Sequence, residues 1–419
     1  EREMDKTDIP GTFNAGATLG PVNETNMARI WNKHKQSNTP LKRKVFVGLS
    51  GGVDSSVAAA LLKEQGYDVV GVFIKVWQAD FLPCTWREER RDAMRAAAHL
   101  GIPFLTLDLE KEYKKEVVDY MIREYGAGRV PNPDVMCNKH VKFGAFLEFA
   151  KKEGADFIAT GHYARVASVA EGRRLNADQR RKNINSQLNA TRYTLRAGVD
   201  KEKDQSYFLW TLTQKQLAHT IFPVGHLQKS EVRALARKFG LPNAEKKDSQ
   251  GLCFMGKIDM AEFLKHYLKT KSGDVLNPNG EIIGTHDGAM LYTIGQRHGF
   301  SVIKSSAQEK PYFVVTKDVE RNMITVSHRN TDSSAGRRTE VVLKGVNTLS
   351  EKLQSDTPQS CLARIRYRGE LIKAKWKNIG NAEKKEAQAV FEVPQEGIAA
   401  GQSLVAYDGE ECLGGGVIE

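Results

Sequence analysis

The sequence predicts an α/β protein with an N-terminal doubly wound parallel-sheet domain, a small central domain and a C-terminal β-barrel. Three observations support this prediction: a strand joined to a helix by a glycine-rich loop, a regular alternation of strands and helices after it, and a change to short strands towards the C-terminus. At 419 residues, the chain exceeds the length over which one hydrophobic core keeps growing. We therefore expect several domains.

The N-terminal half alternates apolar strands with amphipathic helices. An apolar strand at 44–50 is followed by a helix from Ser55, strands at 69–76, 103–108 and 156–160, and helices at 87–100, 112–125 and 143–152. This alternation indicates a parallel sheet with helices on both faces. Ligands bind such sheets beyond the carboxyl ends of the strands, so functional residues are expected there.

The C-terminal half follows a different pattern. Helical periodicity is predicted at 213–239, and from about Gly273 the helices largely disappear. Short strands at 323–327, 340–343, 361–367 and 389–393, separated by turn residues, predict a closing β-barrel. The predicted boundaries are a flexible leader at 1–40, the parallel-sheet domain at 41–254, the central domain at 255–325 and the barrel at 326–419.

The charge of the chain suits a polyanionic partner. Lys and Arg number 62 against 51 Asp and Glu, which gives a net charge of +11. A basic protein without a nucleic acid partner fits this balance equally well. A basic stretch at 171–189 reads as a surface insertion that either contacts nucleic acid or is an inert loop.

The hydropathy pattern predicts no membrane partner, because it contains neither an apolar stretch of about 18 residues nor a signal-like segment. The leader carries acidic residues that a mitochondrial transit peptide would avoid, such as Glu3 and Asp5. We therefore expect a cytoplasmic protein, with a mitochondrial location as the alternative.

The glycine-rich loop is a candidate phosphate site. It runs from Gly48 to Ser56 with the sequence GLSGGVDSS. Gly51 and Gly52 let the backbone approach an anion, serine hydroxyls can donate to it, and the helix N-terminus adds unpaired N–H groups. The segment therefore predicts that phosphate binds here.

Asp54 is unusual beside phosphates, because its charge repels them unless a divalent cation bridges the two. We therefore infer Mg²⁺ nearby, although a simple helix N-terminal acid is the alternative. A second segment, Gly251 to Lys257, has the spacing of a Walker A loop. Ile258 stands where that loop needs a hydroxyl, and no strand precedes the segment, so we reject it as a phosphate loop.

Five cysteines are scattered along the chain without a CxxC pair, which argues against a disulfide scaffold or a zinc ribbon. Cys137 lies just ahead of the helix expected from about Lys142, where positive potential raises the thiolate fraction. Asp134 is close enough to exchange a proton near the same substrate. A structural cysteine in a proline-bounded turn fits the pattern equally well.

Cys253 lies in a polar, glycine-flanked stretch that is typical of a loop. A thiol there is mobile and accessible, as a sulfur carrier must be. An incidental loop cysteine is equally consistent with this stretch taken alone.

Together these motifs resemble those of known enzymes. SGGVDS after a strand is similar to the PP-loop of ATP pyrophosphatases, which cleave ATP between its α- and β-phosphates and adenylate a substrate oxygen. The segments RVPNPDVMCNKHVKFG, ATGHYAR, KDQSYFLW and KKDSQGLCFMG resemble the tRNA-specific 2-thiouridylase family. The pairing of NPDxxCN with GxCF is far more specific than the PP-loop alone.

The resemblance implies a tRNA-uridine 2-sulfurtransferase. ATP, with Mg²⁺ near Asp54, would adenylate the C2 oxygen of the wobble uridine in tRNAs for Lys, Glu and Gln, and AMP and pyrophosphate would be released. Cys253 would receive persulfide sulfur from a relay protein or a cysteine desulfurase. Cys137 would resolve the intermediate by forming a disulfide with Cys253.

The resemblance also implies the site residues, and it makes the central domain tRNA-binding. The ATP site would comprise Gly48, Leu49, Ser50, Gly51, Gly52, Val53, Asp54, Ser55, Ile74 and Gly161. Asn132, Pro133 and Asp134 would receive the target base. The tRNA would be contacted by His162, Lys203, Asp204, Gln205, Arg366, Tyr367 and Gln402.

Simpler interpretations fit some of these residues. Residues 203–205 fit an ordinary solvated turn, and Arg364, Arg366 and Arg368 fit one exposed strand face. Alternating arginines with Tyr367 between them suit a strand that follows phosphates, so we favour contact with tRNA.

Two other functions fit parts of the sequence. A PP-loop ligase acting on a small metabolite would need neither Cys137 nor Cys253. A tRNA-binding module without catalysis would bind tRNA without cleaving ATP, but the intact SGGVDS argues against it.

Overall fold

The computed structural model describes residues 43–82, 85–168, 192–248, 259–303, 310–328, 337–355, 357–380 and 384–419. The predicted leader at 1–40, the insertion at 171–189, the rejected loop at 251–257 and Cys253 lie outside these residues. No helix of the described ranges is both long and apolar enough to cross a bilayer.

A five-stranded parallel sheet forms the N-terminal domain, as predicted. Its order is β3-β2-β1-β4-β7, and every neighbouring pair runs parallel. The strands are β1 (Lys44–Gly48), β2 (Asp68–Lys75), β3 (Phe104–Asp108), β4 (Phe157–Ala159) and β7 (Thr220–Ile221). The order reverses between β1 and β4, which opens a crevice at their carboxyl ends.

The helices cover the sheet and lead into the next domain. They are α1 (Val53–Glu64), α2 (Trp86–Leu100), α3 (110–126), α4 (133–152), α5 (Gln214–Leu217), α6 (Lys229–Lys238) and α7 (Met260–Lys265). Both α3 and α4 contain π-helical turns, at Lys114–Val118 and Cys137–Ala145. Such turns concentrate at functional sites, and the second one begins at a predicted catalytic residue.

The continuous helix predicted at 213–239 is wrong over about half of its length. Only α5 and α6 form at its two ends, and β7 lies between them. Pro223 cannot donate a helical hydrogen bond. A Cβ at Gly225 would lie 1.7 Å from the carbonyl oxygen of Ala164, so the chain passes another backbone too closely for a helix.

The central domain is a second five-stranded sheet with the order β10-β9-β8-β12-β11. Its strands are β8 (Gly273–Leu276), β9 (Ile282–His286), β10 (Phe300–Val302), β11 (Tyr312–Asp318) and β12 (Met323–His328). The sequence placed the β12 segment in the barrel, which is wrong. β12 pairs with β8 and β11, and it buries Ile324 and Val326.

The C-terminal domain is the predicted β-barrel. Its strands are β13 (Arg338–Thr348), β14 (Gln359–Arg364), β15 (Ile372–Asn378), β16 (Glu386–Gln395), β17 (Ser403–Asp408) and β18 (Glu411–Ile418). The order β13-β16-β15-β14-β17-β18 closes because β13 also pairs with β18. The strand expected at 361–367 ends at Arg364, and a turn follows it.

A hairpin from the N-terminal half joins this barrel sheet. β5 (Ala164–Ser168) pairs with β6 (Tyr193–Ala197), and β6 pairs with β18. The parallel-sheet part of the chain and the barrel are therefore connected by backbone hydrogen bonds as well as by the polypeptide.

Candidate functional site

A cavity of about 780 Å³ lies at the carboxyl ends of β1 and β4, where the strand order reverses. Its wall combines the glycine-rich loop, the ends of β2 and β4, one face of α4 and the turn after β14. Nine of the ten predicted ATP residues line it: Gly48, Leu49, Ser50, Gly52, Val53, Asp54, Ser55, Ile74 and Gly161. The residues predicted to bind ATP therefore lie together at the carboxyl ends of β1 and β4.

The glycine-rich loop is fixed by close backbone packing. Gly51 is the tenth predicted ATP residue, and it supports the loop from outside the cavity wall. Its φ is +75°, and a Cβ there would lie 2.4 Å from the carbonyl oxygen of Glu89. A Cβ at Gly161 would lie 2.7 Å from the amide nitrogen of Ser55, so the end of β4 packs against the loop.

The start of α1 leaves polar groups available for an anion. Gly52 is the N-cap, and no side chain caps the first turn. The Ser55 hydroxyl donates to the Gly52 carbonyl oxygen at 3.1 Å, and the Ser50 and Ser55 hydroxyls lie 3.3 Å apart. Backbone N–H groups and hydroxyls at a helix N-terminus are suited to hold phosphate.

Asp54 has a lysine partner that the sequence did not predict. Lys229 Nζ lies 2.6 Å from Asp54 Oδ1, and the Tyr163 hydroxyl donates to the same oxygen at 2.9 Å. Burial first, and then Asp54, raises the pKa of Tyr163 well above its ordinary value, so the phenol stays protonated. Lys229 thus supplies a positive charge at Oδ1 of Asp54 that the sequence did not reveal.

A second carboxylate shares this lysine. Asp248 Oδ1 lies 2.8 Å from Lys229 Nζ and 2.9 Å from Arg233 Nη2, while Asp248 Oδ2 lies 2.8 Å from Lys203 Nζ. Burial alone would raise the pKa of Asp248, but the hydrogen bonds from Lys203 and Lys229 outweigh it and lower this pKa to about 2. Lys203, predicted to contact tRNA, lines the cavity and belongs to this network.

One face of α4 contributes an acid, an amide and a cation to the cavity. Asp134, Asn138 and Lys142 all line it, four residues apart, which places them on the same helical face. Asn132 is the N-cap, and its side chain accepts a hydrogen bond from the Val135 amide at 3.3 Å. Of the three residues predicted to receive the base, only Asp134 lines the cavity.

Cys137 does not lie in a loop ahead of a helix, as the sequence suggested. It lies in the second turn of α4, and its exposed fraction is 0%. The helix begins early because Asn132 caps it and Pro133 occupies its first position, where proline is favoured. Any reaction of Cys137 therefore requires the start of α4 to move.

His162 lines the cavity but is almost fully buried. Its Nδ1 shares a hydrogen bond with the Thr160 hydroxyl at 2.7 Å, and its ring packs near Phe143 and Phe222. Burial, and to a lesser degree Lys142, lowers the pKa of His162 well below its ordinary value. The imidazole is therefore neutral at physiological pH and offers no charge to a phosphate.

The other predicted tRNA residues occupy different environments. Gln205 and Tyr367 line the cavity, and the Tyr367 ring lies 4.5 Å from that of Phe208. Asp204 is buried and accepts from Arg364 Nη1 at 2.9 Å, so it supports the fold. Gln402 donates to the Val130 carbonyl at 2.9 Å, away from the cavity wall.

Arg366 is exposed in the turn after β14. Arg368, two residues later, lines the cavity and has a φ of +58°. The three arginines at 364, 366 and 368 therefore do not form one strand face, because the strand ends at the first of them. Arg364 is held by Asp204 and is largely buried.

Sequence reasoning missed several cavity residues. They are Val72, Glu89, Asn138, Lys142, Thr160, Tyr163, Phe208, Lys247 and Asp248, together with Lys229 behind the wall. A helical reading of 133–145 would have found Asn138 and Lys142 from their spacing to Asp134. No local signal marks Lys229, which lies 175 positions from Asp54.

Comparison with known proteins gives a consistent match along the described chain. Three family models match in succession: tRNA methyl transferase HUP domain at 43–257, tRNA methyl transferase PRC-barrel domain at 261–328 and aminomethyltransferase beta-barrel domain at 338–418. Their ranges follow the parallel-sheet, central and barrel parts of the fold.

Curated relatives match over almost their whole length. The tRNA-specific 2-thiouridylase MnmA of Geobacillus thermodenitrificans (strain NG80-2) is 43% identical over 91% of this chain and 96% of its own. The protein of that name from Streptococcus equi subsp. zooepidemicus (strain H70) is 44% identical over 90% and 95%. The one from Halalkalibacterium halodurans is 44% identical over 92% and 96%.

Proposed function

Because the chain belongs to the tRNA-specific 2-thiouridylase family, we propose that it is an ATP-dependent tRNA sulfurtransferase that makes 2-thiouridine. One observation carries the proposal: the phosphate-binding loop and the Asp134 face of α4 bound the same cavity. A nucleotide and a target base can therefore meet within one water-restricted space. The cavity volume of about 780 Å³ suits two such ligands in contact.

ATP occupies the part of the cavity formed by residues 48–55, with its adenosine between Ile74 and Gly161. Mg²⁺ fits this site, because it keeps most of its waters and needs only one or two carboxylates besides the substrate phosphates. Asp54 would hold it through Oδ2, to which no residue in the described ranges donates a hydrogen bond, since Lys229 and Tyr163 both bind Oδ1.

The target uridine leaves the anticodon stack and enters beside α4. Asp134 and Asn138 face it from the helix, and Asn132 with Pro133 fixes where that helix starts. The tRNA substrates are those with a wobble uridine, for Lys, Glu and Gln. Lys203, Gln205, Arg366 and Tyr367 contact the surrounding nucleotides.

The chemistry consists of three balanced steps. The C2 oxygen of uridine attacks the α-phosphorus of ATP, and pyrophosphate leaves. The outer sulfur of a Cys253 persulfide attacks C2, and AMP leaves with the former carbonyl oxygen. The Cys137 thiolate then attacks the Cys253 sulfur, which forms a disulfide and leaves the outer sulfur on the base.

Each turnover needs two further reactants. A persulfide carrier or a cysteine desulfurase supplies the sulfur, and a dithiol reductant restores Cys137 and Cys253. Because Cys137 is fully buried, the start of α4 must also open before the disulfide forms. Binding of tRNA against the same helical face supplies the interactions for this change.

Mass spectrometry of tRNA nucleosides tests the proposal. Wild-type protein with ATP, a persulfide source, a dithiol reductant and tRNA should produce 2-thiouridine, and a methylated uridine would instead favour methyl transfer. Cys137→Ala and Cys253→Ala should abolish the thiolated product while tRNA affinity, measured by filter binding, stays within a few fold.

Cys361→Ala is the matched control, because Cys361 is buried in the barrel core away from the cavity. It should retain thiolation. Full ATP turnover on a small metabolite by Cys253→Ser would favour a small-molecule ligase. Binding of tRNA without any cleavage of ATP would favour a non-catalytic module.

A further inference from the structure

The outer face of β15 carries three lysines, which we call the basic stripe: Lys373, Lys375 and Lys377. All three are exposed, while the alternating Ala374 and Trp376 are buried in the barrel core. Successive strand residues point to opposite faces, so the three ammonium groups lie on one side of the sheet. The stripe is thus a continuous line of positive charge on the barrel surface.

The usual structural reason for lysines on a strand does not apply here. Lysines protect exposed sheet edges from pairing with other chains, but β15 lies between two strands: it pairs with β14 through residues 372–376 and with β16 through residues 374–378. Lysine is otherwise depleted in strands. Three lysines on an internal strand therefore indicate a role for the exposed charge itself.

The stripe starts five residues after Arg368, in the strand that follows a cavity-lining turn. β15 follows the turn after β14, and Tyr367 and Arg368 in that turn line the cavity. At about 3.3 Å per residue, the stripe from Lys373 to Lys377 extends roughly 13 Å along the strand from the turn. The stripe and the basic residues Arg366 and Arg368 of the turn thus belong to successive segments of the same barrel region.

Few acidic side chains lie opposite the basic stripe to neutralise its charge. Lys373 lies 3.8 Å from Glu392, and both groups are well exposed, so the attraction between them is weak. Ser360 and Val390 lie opposite Lys375 on the two neighbouring strands, and Gln388 lies opposite Lys377. The residues directly opposite Lys375 and Lys377 are thus uncharged, and Glu340 on the next strand is bonded to Gln388 at 2.8 Å.

We propose that the basic stripe binds backbone phosphates of the substrate tRNA next to the nucleotide that enters the cavity. This inference rests on the proposed function. Contacts of lysine with phosphate position an RNA without reading its sequence, and each one releases counterions on binding. The net charge of +11 favours the same polyanionic partner.

The salt dependence of tRNA binding tests the stripe. The affinities of wild type and of the triple variant Lys373→Gln, Lys375→Gln, Lys377→Gln are measured by filter binding from about 50 to 200 mM salt. Loss of three phosphate contacts should reduce the slope of log K against log salt by about 2 to 3. The affinity difference between the two proteins should therefore shrink roughly 16-fold or more across this range.

A matched control removes the same charge elsewhere. Lys111, Lys152 and Lys238 are exposed on three helices of the parallel-sheet domain, and their triple Gln variant should keep the wild-type slope. The triple Arg variant of the stripe should also keep the wild-type slope. A changed slope in the triple Gln variant then reflects the lost charge and not unfolding. An unchanged slope in the stripe variant, or an equal loss in the control, would overturn the inference.

Failure of the proposed function gives a different result. In that case the wild-type protein itself neither thiolates tRNA nor binds it with a salt-dependent affinity. A wild type that binds and thiolates tRNA, together with a stripe variant of unchanged slope, rejects the stripe alone.

Discussion

Lys229 connects the glycine-rich loop of the cavity to Asp248. It lies within 2.8 Å of carboxylate oxygens from both Asp54 and Asp248, and it is mostly buried. Without it, two like charges face each other with reduced access to water. Lys229 therefore holds the glycine-rich loop and Asp248 in one arrangement.

Lys229→Met should weaken both stability and ATP binding. We expect the free energy of unfolding to fall by about 1 to 2 kcal/mol, less than for a fully buried pair because the carboxylates are partly exposed. The KM for ATP should rise, since Asp54 loses its partner. Urea denaturation and pyrophosphate release measure the two effects.

Lys238→Met is the control for this change, because Lys238 is exposed at the far end of the same helix. It should leave both quantities near the wild-type values. Equal effects of the two substitutions would contradict a specific role of Lys229.

Asp248 should make stability depend on pH in an acidic window. Its pKa is lowered to about 2 from an ordinary value of 3.8, so its contribution is fully present above the ordinary value and is lost as pH falls towards 2. The stability difference between wild type and Asp248→Asn should therefore be constant above about pH 5 and shrink below pH 4. Denaturant unfolding at several pH values measures it, and a difference that stays constant down to pH 2 would disprove the assignment.

Some residues of the site could be predicted from sequence and others could not. The phosphate loop is contiguous, so its glycines, serines and Asp54 reveal their chemistry locally. Tyr163 and Lys229 contact Asp54 across 109 and 175 positions of chain, and Asp248 contacts Lys203 across 45, with no local pattern. Their participation follows from the fold alone.

At the scale of elements, α4 connects the Asp134 side of the cavity with Cys137. Its N-cap, Asn132, sets where the helix starts and hence which side chains face the cavity. Because Asp134 and Asn138 lie on the same face, a shift in the start of the helix would move both.

Asn132→Ala should lower the free energy of unfolding by about 1 kcal/mol, because the side chain no longer accepts the Val135 amide hydrogen bond. Asn132→Asp keeps the cap, so its stability should be close to that of wild type. Thermal unfolding of the two variants checks this. If Asn132→Asp lowers the free energy of unfolding as much as Asn132→Ala does, the capping role of Asn132 is wrong.

The early start of α4 shows why this element was mispredicted. The sequence PNPDVMCNK looks like a proline-bounded loop, yet Pro133 at the first helical position and Asn132 at the cap are start signals. The opposite error occurred at 213–239, where apolar periodicity continued across Pro223 and Gly225. In both places the backbone chemistry of a proline determines whether the segment is helical.

At the scale of the whole molecule, the parallel-sheet half and the barrel share a polar interface. The Tyr207 hydroxyl donates to the Ser403 carbonyl at 2.8 Å, and Asn347 donates to the Trp210 carbonyl at 2.7 Å. Asp204 forms its buried ion pair with Arg364 across the same interface. The turn that brings Tyr367 to the cavity follows this arginine.

Asp204→Ala should therefore destabilise the barrel attachment. It leaves Arg364 largely buried without its partner, which should lower stability by about 3 to 5 kcal/mol. Calorimetry should then resolve two unfolding transitions in place of one. Asp204→Asn retains an oxygen for the Gly198 and Ser206 amides and should have a smaller effect. A single unshifted transition in Asp204→Ala would contradict this coupling.

The sequence predicted the architecture well where it depends on elements that follow one another along the chain. Alternating strands and helices indicate the parallel sheet, and short strands indicate the barrel. Pairing of β6 with β18 could not be predicted, because Leu195 meets Cys412 across more than half the chain. The same holds for the placement of β12, whose pattern suits either sheet.

The central claim is that the uridine carbonyl oxygen is activated by ATP and departs on AMP. Labelling tests it most directly: tRNA with ¹⁸O at C2 of the target uridine is converted with unlabelled ATP and water, and the nucleotide product is analysed by mass spectrometry. The account predicts AMP with one ¹⁸O atom for each 2-thiouridine formed. Unlabelled AMP, or ADP and phosphate as the products, would contradict it.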